Sequence, residues 1–407
     1  MSVVFDRPYE FIPPHTGNLW PTLIQRLRLY DLHLRFGEGI VDHSIAGLDN
    51  FADPLRSGDG VLLAPNHCRY ADPLVLGWPA RELGTHLHAL ASWHLFNKSR
   101  FDQFAIRRMG AFSLNREQVD RTGLDYAINV LADATRPLII FPEGATYRTN
   151  DYLKPLADGI TFIARAAARR AAKKDRKVQM IPVAMKYTCV DPPDDWVDAQ
   201  LRALETRFGW RRGYDGGTFI QRLHRVHDAY LGTIEARFGV ATGPTDDVHA
   251  RREHLIDQLL HRSESFFETP RDDVDDPAVR ARAIRTEVAS DYFARDRRHT
   301  ETELRHHSAA ADVVLDLAAH PPHYLDPDQI TDTRLVETIQ RMQESMDGKS
   351  NNDVKLKVHI EFHEPIEVPP EKAPRRQTDP LLTQLDETLR RRLADLSCLA
   401  RPLSGSS

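Results

Sequence analysis

The sequence predicts an α/β protein with a central sheet flanked by helices, an N-terminal helical element and a large helical insertion before the last strand. Between residues 40 and 190, short apolar runs are each followed by polar residues and then by a helical pattern, which is typical of an α/β sheet. From about residue 199 to residue 352, the pattern changes to charged stretches of helical periodicity. A strand pattern then returns, which indicates that the helical block is inserted into one α/β domain.

The individual elements follow from the same periodicities. The predicted core strands are residues 61–64, 87–92, 111–114, 137–141 and 178–187. The predicted helices of the insertion are residues 221–238, 246–267, 278–297 and 333–347. The return strand is predicted from the alternation of Val354, Leu356, Val358, Ile360 and Phe362. Asp379 and Pro380 then start a closing helix with a leucine face.

These boundaries divide the chain into four parts. We predict an N-terminal helical element at residues 1–39, an α/β core at 40–198, a helical insertion at 199–352 and the return strand with its closing helix at 353–400. A length of 407 residues with 41% hydrophobic content suits one large or two moderate domains.

Composition narrows the class of protein. The net charge is −5, with Lys and Arg in excess up to Val190 and Asp and Glu in excess after it, which argues against nucleic-acid binding. The three cysteines, Cys68, Cys189 and Cys398, lie far apart, as expected in a reducing compartment. No run approaches the roughly 20 apolar residues of a membrane span, and no signal-peptide pattern opens the chain. We therefore expect a cytoplasmic location, peripheral on the inner face of the membrane.

A histidine and a carboxylate lie five positions apart directly after the first core strand. His67 is matched to removing a proton from a hydroxyl near neutral pH. Asp72 would hold the second ring nitrogen and stabilise the imidazolium, as the carboxylate of a catalytic triad does. The alternative is that His67 is an ordinary loop histidine and that Asp72 is a helix N-cap before Pro73.

The order of motifs resembles the 1-acylglycerol-3-phosphate acyltransferase family of glycerolipid acyltransferases. Its hallmark N-H-x-x-x-x-D is present at Asn66 to Asp72, and the later blocks follow in order as Gly110 to Arg116, Phe141-Pro-Glu-Gly144, Ile181-Pro-Val183 and Ile360 to Ile366. The resemblance covers about residues 40–190 and 354–368. It implies the glycerolipid acyltransferase type of central sheet.

The resemblance also implies roles for particular residues. His67 would be the base and Asp72 its partner, while Asn66, Arg116, Glu143, Gly144 and Arg148 would bind the acceptor. An arginine offers a fork of donors suited to phosphate, although Arg116 could instead be a surface arginine paired with Glu117 or Asp120. Glu143 would bind acceptor hydroxyls or organise the site, or be an exposed carboxylate at a strand end. Gly144 would admit a ligand to the backbone or serve the turn.

The third block departs from the family pattern F-P-E-G-T-R-S-R. Here it continues after Gly144 as Ala145, Thr146, Tyr147 and Arg148, so the first arginine is missing. Only Arg148 remains in the block to supply positive charge. An acceptor with a different headgroup is therefore the alternative to a phosphate-bearing acceptor.

Two further patterns bear on partners. In residues 19–36, Trp20, Leu23, Leu27, Tyr30 and Leu34 recur at helical spacing, which fits either a helix on a membrane surface or a helix packed on the sheet. Histidines at positions 299, 306, 307, 320 and 323 have no zinc-type spacing, so no metal is predicted.

The predicted function is transfer of a fatty acyl group from acyl-CoA or acyl-carrier protein to a hydroxyl of a glycerophospholipid precursor. The resemblance indicates 1-acylglycerol-3-phosphate as the acceptor, in phospholipid biosynthesis, with the acyl thioester as cosubstrate and no bound cofactor. The alternatives are an acyltransferase of the same fold that uses glycerol 3-phosphate or an amino-acid lipid, and an inactive membrane-associated binding protein.

Overall fold

The computed structural model describes residue 5 and residues 7–117, 119–210, 217–241, 247–269, 276–319, 323–326, 329–372 and 377–403. The strands are β1 (Ile40–Ala46), β2 (Gly60–Pro65), β3 (His88–Ser92), β4 (Ala111–Leu114), β5 (Leu138–Ile139), β6 (Val178–Cys189), β7 (Leu356–Phe362) and β8 (Ile366–Glu367). They form one sheet with the order β1-β7-β6-β2-β5-β3-β4, and β8 pairs with β6.

The sheet is mixed, with its parallel part on the side of β2. Strands β6, β2, β5, β3 and β4 run parallel, whereas β7 and β8 run antiparallel to β6. Strand β2 is buried along its whole length, as expected for a parallel strand covered on both faces. The carboxyl ends of parallel strands share one edge of the sheet, which is where ligands bind in open α/β sheets.

Helices cover the sheet and form the long segment between β6 and β7. They are α1 (Leu19–Arg26), α2 (Leu29–Gly37), α3 (Asp49–Ser57), α4 (Asp72–Val75), α5 (Gly77–Glu82), α6 (Arg100–Arg108), α7 (Arg121–Ala132), α8 (Gly159–Ala172), α9 (Asp194–Arg207), α10 (Phe219–Phe238), α11 (Val248–Phe267), α12 (Pro277–Tyr292), α13 (Glu301–Leu317), α14 (Asp332–Asp347) and α15 (Pro380–Ser397). A 3₁₀ turn, Trp93–Asn97, follows β3.

The predicted α/β fold class is confirmed, with differences in single elements. Strand β5 keeps two residues of the predicted five, and β1, β8, α9 and α13 were not predicted. In β1 only Ile40 is fully buried, because this edge strand pairs with β7 alone and carries polar residues such as His43. A pattern search for apolar runs therefore misses it.

The return of the chain to the sheet is clear in the topology. Strand β7 lies between β1 and β6, and its Phe362 stacks on Phe51 with ring centroids 5.3 Å apart. The side chain of Asp379 caps α15 by accepting a hydrogen bond from the Leu381 amide at 3.0 Å. The predicted return strand and closing helix are confirmed, whereas the domain boundaries stay a prediction.

The segment between β6 and β7 has two halves that pack differently. Helices α9 and α14 contribute Leu201 and Leu335 to the same apolar cluster as β6 and β7. Helices α11, α12 and α13 share a second cluster, which includes Leu260, Ile284 and Val314. Helices α9 and α14 therefore join this segment to the sheet.

Buried charges tie α14 to the sheet as well. Lys186 of β6, fully buried, pairs with Asp151, whose other oxygen accepts a bond from Arg334 Nε at 2.9 Å. Glu337 of α14 accepts hydrogen bonds from the Tyr324 hydroxyl and, at 3.1 Å, from the Asn150 amide. Buried charges are tolerated where partners satisfy them in this way.

Glu337 gives the fold a predictable pH dependence. Burial raises the pKa of Glu337 to about 8, with Lys186 and Arg69 opposing the shift. Because its folded pKa lies above the unfolded value, its contribution to stability is present at low pH and is lost as the pH rises through 8. We expect wild type to lose stability relative to Glu337→Gln between about pH 5 and pH 8, by about 1.4 kcal/mol per pH unit.

Urea unfolding of both proteins at several pH values measures this difference. Glu387→Gln, at an exposed glutamate of α15, serves as the control and should track wild type at every pH. A constant difference between wild type and Glu337→Gln across that range would contradict the prediction.

Candidate active site

The predicted site residues follow neighbouring parallel strands at one edge of the sheet. Asn66 and His67 come directly after β2, Glu143 follows β5 and Arg116 follows β4. Since β2 pairs with β5 and β3 pairs with both β5 and β4, these loops converge at the carboxyl ends of the strands.

His67 and Asp72 form a hydrogen-bonded pair. His67 Nδ1 lies 2.8 Å from Asp72 Oδ2, and the imidazole keeps 13% of its side-chain surface exposed while the carboxylate is fully buried. The face of the ring stacks on Phe141 with centroids 3.9 Å apart. A carboxylate at this distance accepts a hydrogen bond from the protonated Nδ1. The lone pair of Nε2 is then available as a base.

Asp72 is held by three donors. Its Oδ2 also accepts the Arg69 amide at 2.9 Å, and its Oδ1 accepts the Tyr187 hydroxyl at 2.6 Å. Helix α4 begins at Asp72 itself, and its N-cap, Ala71, makes no side-chain capping bond. The interpretation of Asp72 as an N-cap is therefore wrong, because its carboxylate turns towards the imidazole.

The second nitrogen of the imidazole has a hydroxyl partner. Thr146 Oγ1 lies 2.8 Å from His67 Nε2, and Thr146 is buried. With Nδ1 protonated, the threonine hydroxyl donates to Nε2. This contact marks the position in which a substrate hydroxyl would meet the base.

Glu143 organises the loops of the site. One of its carboxylate oxygens accepts the His67 amide at 2.6 Å and the other accepts the Lys154 amide at 3.0 Å. Burial raises the pKa of Glu143 to about 8, against the effect of these two backbone donors. Only 4% of the residue is exposed, so the alternative of an exposed carboxylate at a strand end is wrong.

Asn66 and Gly144 support the backbone. Both polar groups of the Asn66 amide bond to Met185 of β6, at 2.9 and 2.7 Å, which extends the pairing of that strand beyond β2. Gly144 has φ +73°, a left-handed conformation that glycine adopts without strain, and it closes a turn onto Phe141. Binding of the acceptor by these two residues stays a prediction.

Arg116 lies in a cleft that reaches Thr146. We name it the arginine cleft. The α/β core contributes Tyr70, Arg116, Glu117, Ala145, Thr146 and Tyr147, and the segment between β6 and β7 contributes Arg282, Arg285, Leu315, Asp316 and Arg341.

The side chain of Arg116 is exposed to the cleft yet surrounded by protein. Burial, and then the positive charges of Arg285 and Arg282, lower its pKa to about 10 while Glu117 opposes them, so it stays charged at neutral pH. Glu117 itself accepts a bond from Arg285 at 2.6 Å, and Asp120 accepts the Gly123 amide at 2.8 Å.

Arg148 is placed differently from Arg116. Its guanidinium donates to Glu344 Oε1 at 2.7 and 2.8 Å, to Gln340 at 3.1 Å and to Ser350 at 2.9 Å. It is buried, and it does not line the arginine cleft. Arg148 therefore fastens the loop after β5 to α14, and its role in binding the acceptor stays a prediction.

Several residues of the site were not found from the sequence. Thr146 occupies the position where the family pattern has an arginine, and Tyr187 follows the Ile181-Pro-Val183 block by four residues. Nothing in the spacing of either residue signals contact with His67 or Asp72. The arginines of α12 and α14 that line the cleft come more than 130 positions after Thr146 in the chain, so only the fold brings them to the cleft.

The histidines between β6 and β7 have ordinary partners. His299 Nδ1 lies 2.7 Å from Asp291, and His307 Nδ1 lies 2.9 Å from the Ser263 hydroxyl. His320 is outside the described residues. Within the part of the chain that the structure describes, no group of three or more His, Cys, Asp or Glu side chains is arranged to hold a metal ion.

Comparison with known proteins adds to this geometry. Residues 46–186 match the family model described as Acyltransferase. A 1-acyl-sn-glycerol-3-phosphate acyltransferase of Streptococcus pneumoniae is 30% identical over 130 residues, which are 32% of this chain and 42% of that protein. The chain therefore spans less than half the length of this relative. The matched residues contain the His67 and Asp72 pair, Thr146, Glu143 and Arg116.

Proposed function

We propose that the chain transfers a fatty acyl group from an acyl thioester to a hydroxyl of a glycerophospholipid precursor, because residues 46–186 match the Acyltransferase family model and part of the chain is similar to a 1-acyl-sn-glycerol-3-phosphate acyltransferase. The acceptor proposed is 1-acylglycerol-3-phosphate, and the donor is acyl-CoA or acyl-carrier protein. The reaction would belong to phospholipid biosynthesis.

The observation that carries this proposal is the hydrogen-bonded series of Thr146, His67 and Asp72. In the proposed reaction the acceptor hydroxyl replaces that of Thr146 at Nε2 and gives its proton to His67. Its oxygen attacks the thioester carbonyl, and the tetrahedral intermediate expels the thiolate, which takes the proton from the imidazolium. Asp72 stabilises that cation during the step.

The charge of the cleft supports an anionic acceptor. Arg116 is exposed to the same cleft that Thr146 lines, so an anion bound there lies beside the hydroxyl position. A guanidinium offers paired donors to a phosphate, and these bonds are stronger than bonds between neutral groups. The acceptor would thus be held at its phosphate while its hydroxyl meets His67.

A panel of acceptors tests the proposal. Purified protein is given palmitoyl-CoA or palmitoyl-acyl-carrier protein, together with 1-acylglycerol-3-phosphate, glycerol 3-phosphate, a lyso amino-acid lipid or no acceptor. Thiol release and mass spectrometry of the lipids are then measured. We expect phosphatidic acid as the main product. A different acylated product would change the acceptor, and no product from any of them, with either donor, would favour an inactive binding protein.

Access to a lipid acceptor would come from a surface near the N-terminus. No helix in the described part of the chain is long and apolar enough to cross a membrane. The predicted single helix of residues 19–36 is instead two helices, α1 and α2, because Arg28 adopts a left-handed φ of 52°. Tyr30 and Leu34 are buried, so the face of α2 that carries these two residues packs against the protein and does not contact a membrane.

The opposite face of these helices is apolar and exposed. We name it the N-terminal apolar surface. It consists of Leu19, Leu23, Leu27, Leu29, Leu32 and Phe36, with Phe101 and Phe104 of α6, where Phe104 meets Trp20. Nearby arginines such as Arg26, Arg35 and Arg108 suit anionic headgroups. We propose that this surface binds the membrane peripherally.

Flotation with vesicles of phosphatidylcholine and phosphatidylglycerol tests the N-terminal apolar surface. Leu19→Ser with Phe36→Ser removes two side chains that are 76% and 78% exposed, so we expect the bound fraction to fall several-fold. Val190→Ser with Leu399→Ser, at exposed apolar positions elsewhere, is the matched control. Equal loss in both double variants would refute the assignment of the surface.

A further inference from the structure

The segment between β6 and β7 forms one wall of the arginine cleft. Arg282 projects from α12, is exposed, and lines the cleft opposite the loops that follow β4 and β5. The cleft extends to Thr146, whose hydroxyl contacts His67 Nε2. A ligand in the cleft would therefore touch this segment and the reacting hydroxyl position at the same time.

The arginines of the cleft differ in how their charge is balanced. Arg285 bonds to Glu117 at 2.6 Å, and Arg341 pairs with Asp316. Arg282 donates to the neutral hydroxyl of Tyr147 at 2.5 Å. Within the ranges that the structure describes, no carboxylate lies in ion-pair distance of Arg282.

Arg282 and Arg116 raise the positive potential of the same space. The charge of Arg282 acts on Arg116 strongly enough to help depress the pKa of that guanidinium, after burial and Arg285. Two cations held near each other by the fold are stabilised by a shared anion, and a phosphate monoester, with three oxygens, can accept from both.

We propose that Arg282 and Arg116 together form a phosphate-monoester site that selects the anionic acceptor, so that the segment between β6 and β7 is part of the substrate site. The inference rests on the proposed function for the identity of the ligand. Arg282 thereby supplies, from a distant part of the chain, positive charge beside Thr146, the position at which the third motif block lacks its arginine.

A phosphate monoester also occurs on the ribose of coenzyme A. We assign the site to the acceptor because the cleft reaches the hydroxyl position at His67 Nε2, which the acceptor must occupy for its proton to be removed. The two sources can be separated by binding measurements.

Titration calorimetry measures binding without any need for turnover, so its outcome is independent of whether acyl transfer is found. The ligands are 1-hexanoylglycerol 3-phosphate and its dephosphorylated counterpart, 1-hexanoylglycerol. We expect wild type to prefer the phosphorylated ligand. Arg282→Gln should raise its Kd by about ten- to a hundredfold, as loss of a charged hydrogen bond does, and leave the Kd of the neutral ligand unchanged.

Two variants and one additional pair of ligands complete the experiment. Arg282→Lys should recover part of the affinity, whereas Arg295→Gln, at an exposed arginine outside the cleft, should bind as wild type does. Coenzyme A and dephospho-coenzyme A are titrated in parallel. The proposal is overturned if wild type shows no preference for the phosphorylated lipid, if Arg282→Gln binds it equally well, or if only the binding of coenzyme A is weakened.

Discussion

Replacing His67 with alanine is expected to lower kcat for acyl transfer by about a thousandfold and to leave the fold intact. A positioned general base contributes roughly 10²- to 10⁴-fold to a rate. The imidazole is 13% exposed and its removal takes away one bond each from Asp72 and Thr146, so the loss of stability should be modest.

The measurement is thiol release from palmitoyl-CoA in the presence of the acceptor found in the panel. His323→Ala removes an exposed histidine that also pairs with an aspartate, Asp326, and it is the matched control. We expect the control to keep wild-type kcat. Equal kcat in wild type and His67→Ala would remove His67 from the mechanism.

Replacing Asp72 with asparagine is expected to lower kcat by about 10³-fold, with KM for the acceptor little changed. All three partners of the carboxylate are donors: His67 Nδ1, the Arg69 amide and the Tyr187 hydroxyl. An asparagine side chain must turn its own NH₂ group towards one of these donors. The imidazole then loses the negative charge that stabilises its cation, and where the NH₂ group faces Nδ1 it also loses the acceptor that fixes its tautomer.

Stability must be measured alongside activity for Asp72→Asn, because a fully buried carboxylate is being changed. We expect a loss of about 1 to 3 kcal/mol for the unsatisfied donors. Asp379→Asn is the matched control, since Asp379 is also buried and bonds to an arginine and a backbone amide, at the start of α15 and outside the candidate site. A similar loss of stability in both variants, with kcat unchanged in both, would contradict the role of Asp72.

The sequence predicted best those features that depend on residues close together in the chain. The pairing of His67 with Asp72 follows from two residues five positions apart at the end of a buried strand, and such a short separation leaves the loop few alternatives. The return strand was readable because Leu356, Val358, Ile360 and Phe362 all face the core and alternate with polar residues. Both features are local, so no knowledge of the remaining fold was needed.

Features that depend on contacts between residues far apart in the chain could not be predicted from the sequence. The sequence does not distinguish Arg148 from Arg116. In the structure Arg148 forms an ion pair with Glu344 of α14, whereas Arg116 lines the arginine cleft. Which of them lines the arginine cleft depends on where the segment between β6 and β7 packs. The same holds for Arg282, whose contact with Tyr147 joins residues 135 positions apart.

The break between α1 and α2 shows a different limit. Apolar residues at helical spacing continue through residues 19–36, but Arg28 leaves the helical conformation and reorients the chain. Within α2, Leu34 packs inward while Phe36, two positions later, points away from it and is exposed. Periodicity identified an amphipathic segment, and it could not divide the apolar residues between the core and the surface.

The threonine hydroxyl at the imidazole bears on what the protein does between turnovers. With Nε2 occupied by Thr146, a water molecule would have to displace the threonine hydroxyl before His67 could activate it. A thioester that binds before the lipid acceptor would then be hydrolysed more slowly. Acyl transfer would begin when the acceptor hydroxyl displaces the Thr146 hydroxyl from Nε2. Consumption of the acyl thioester would thus be coupled to the presence of the acceptor.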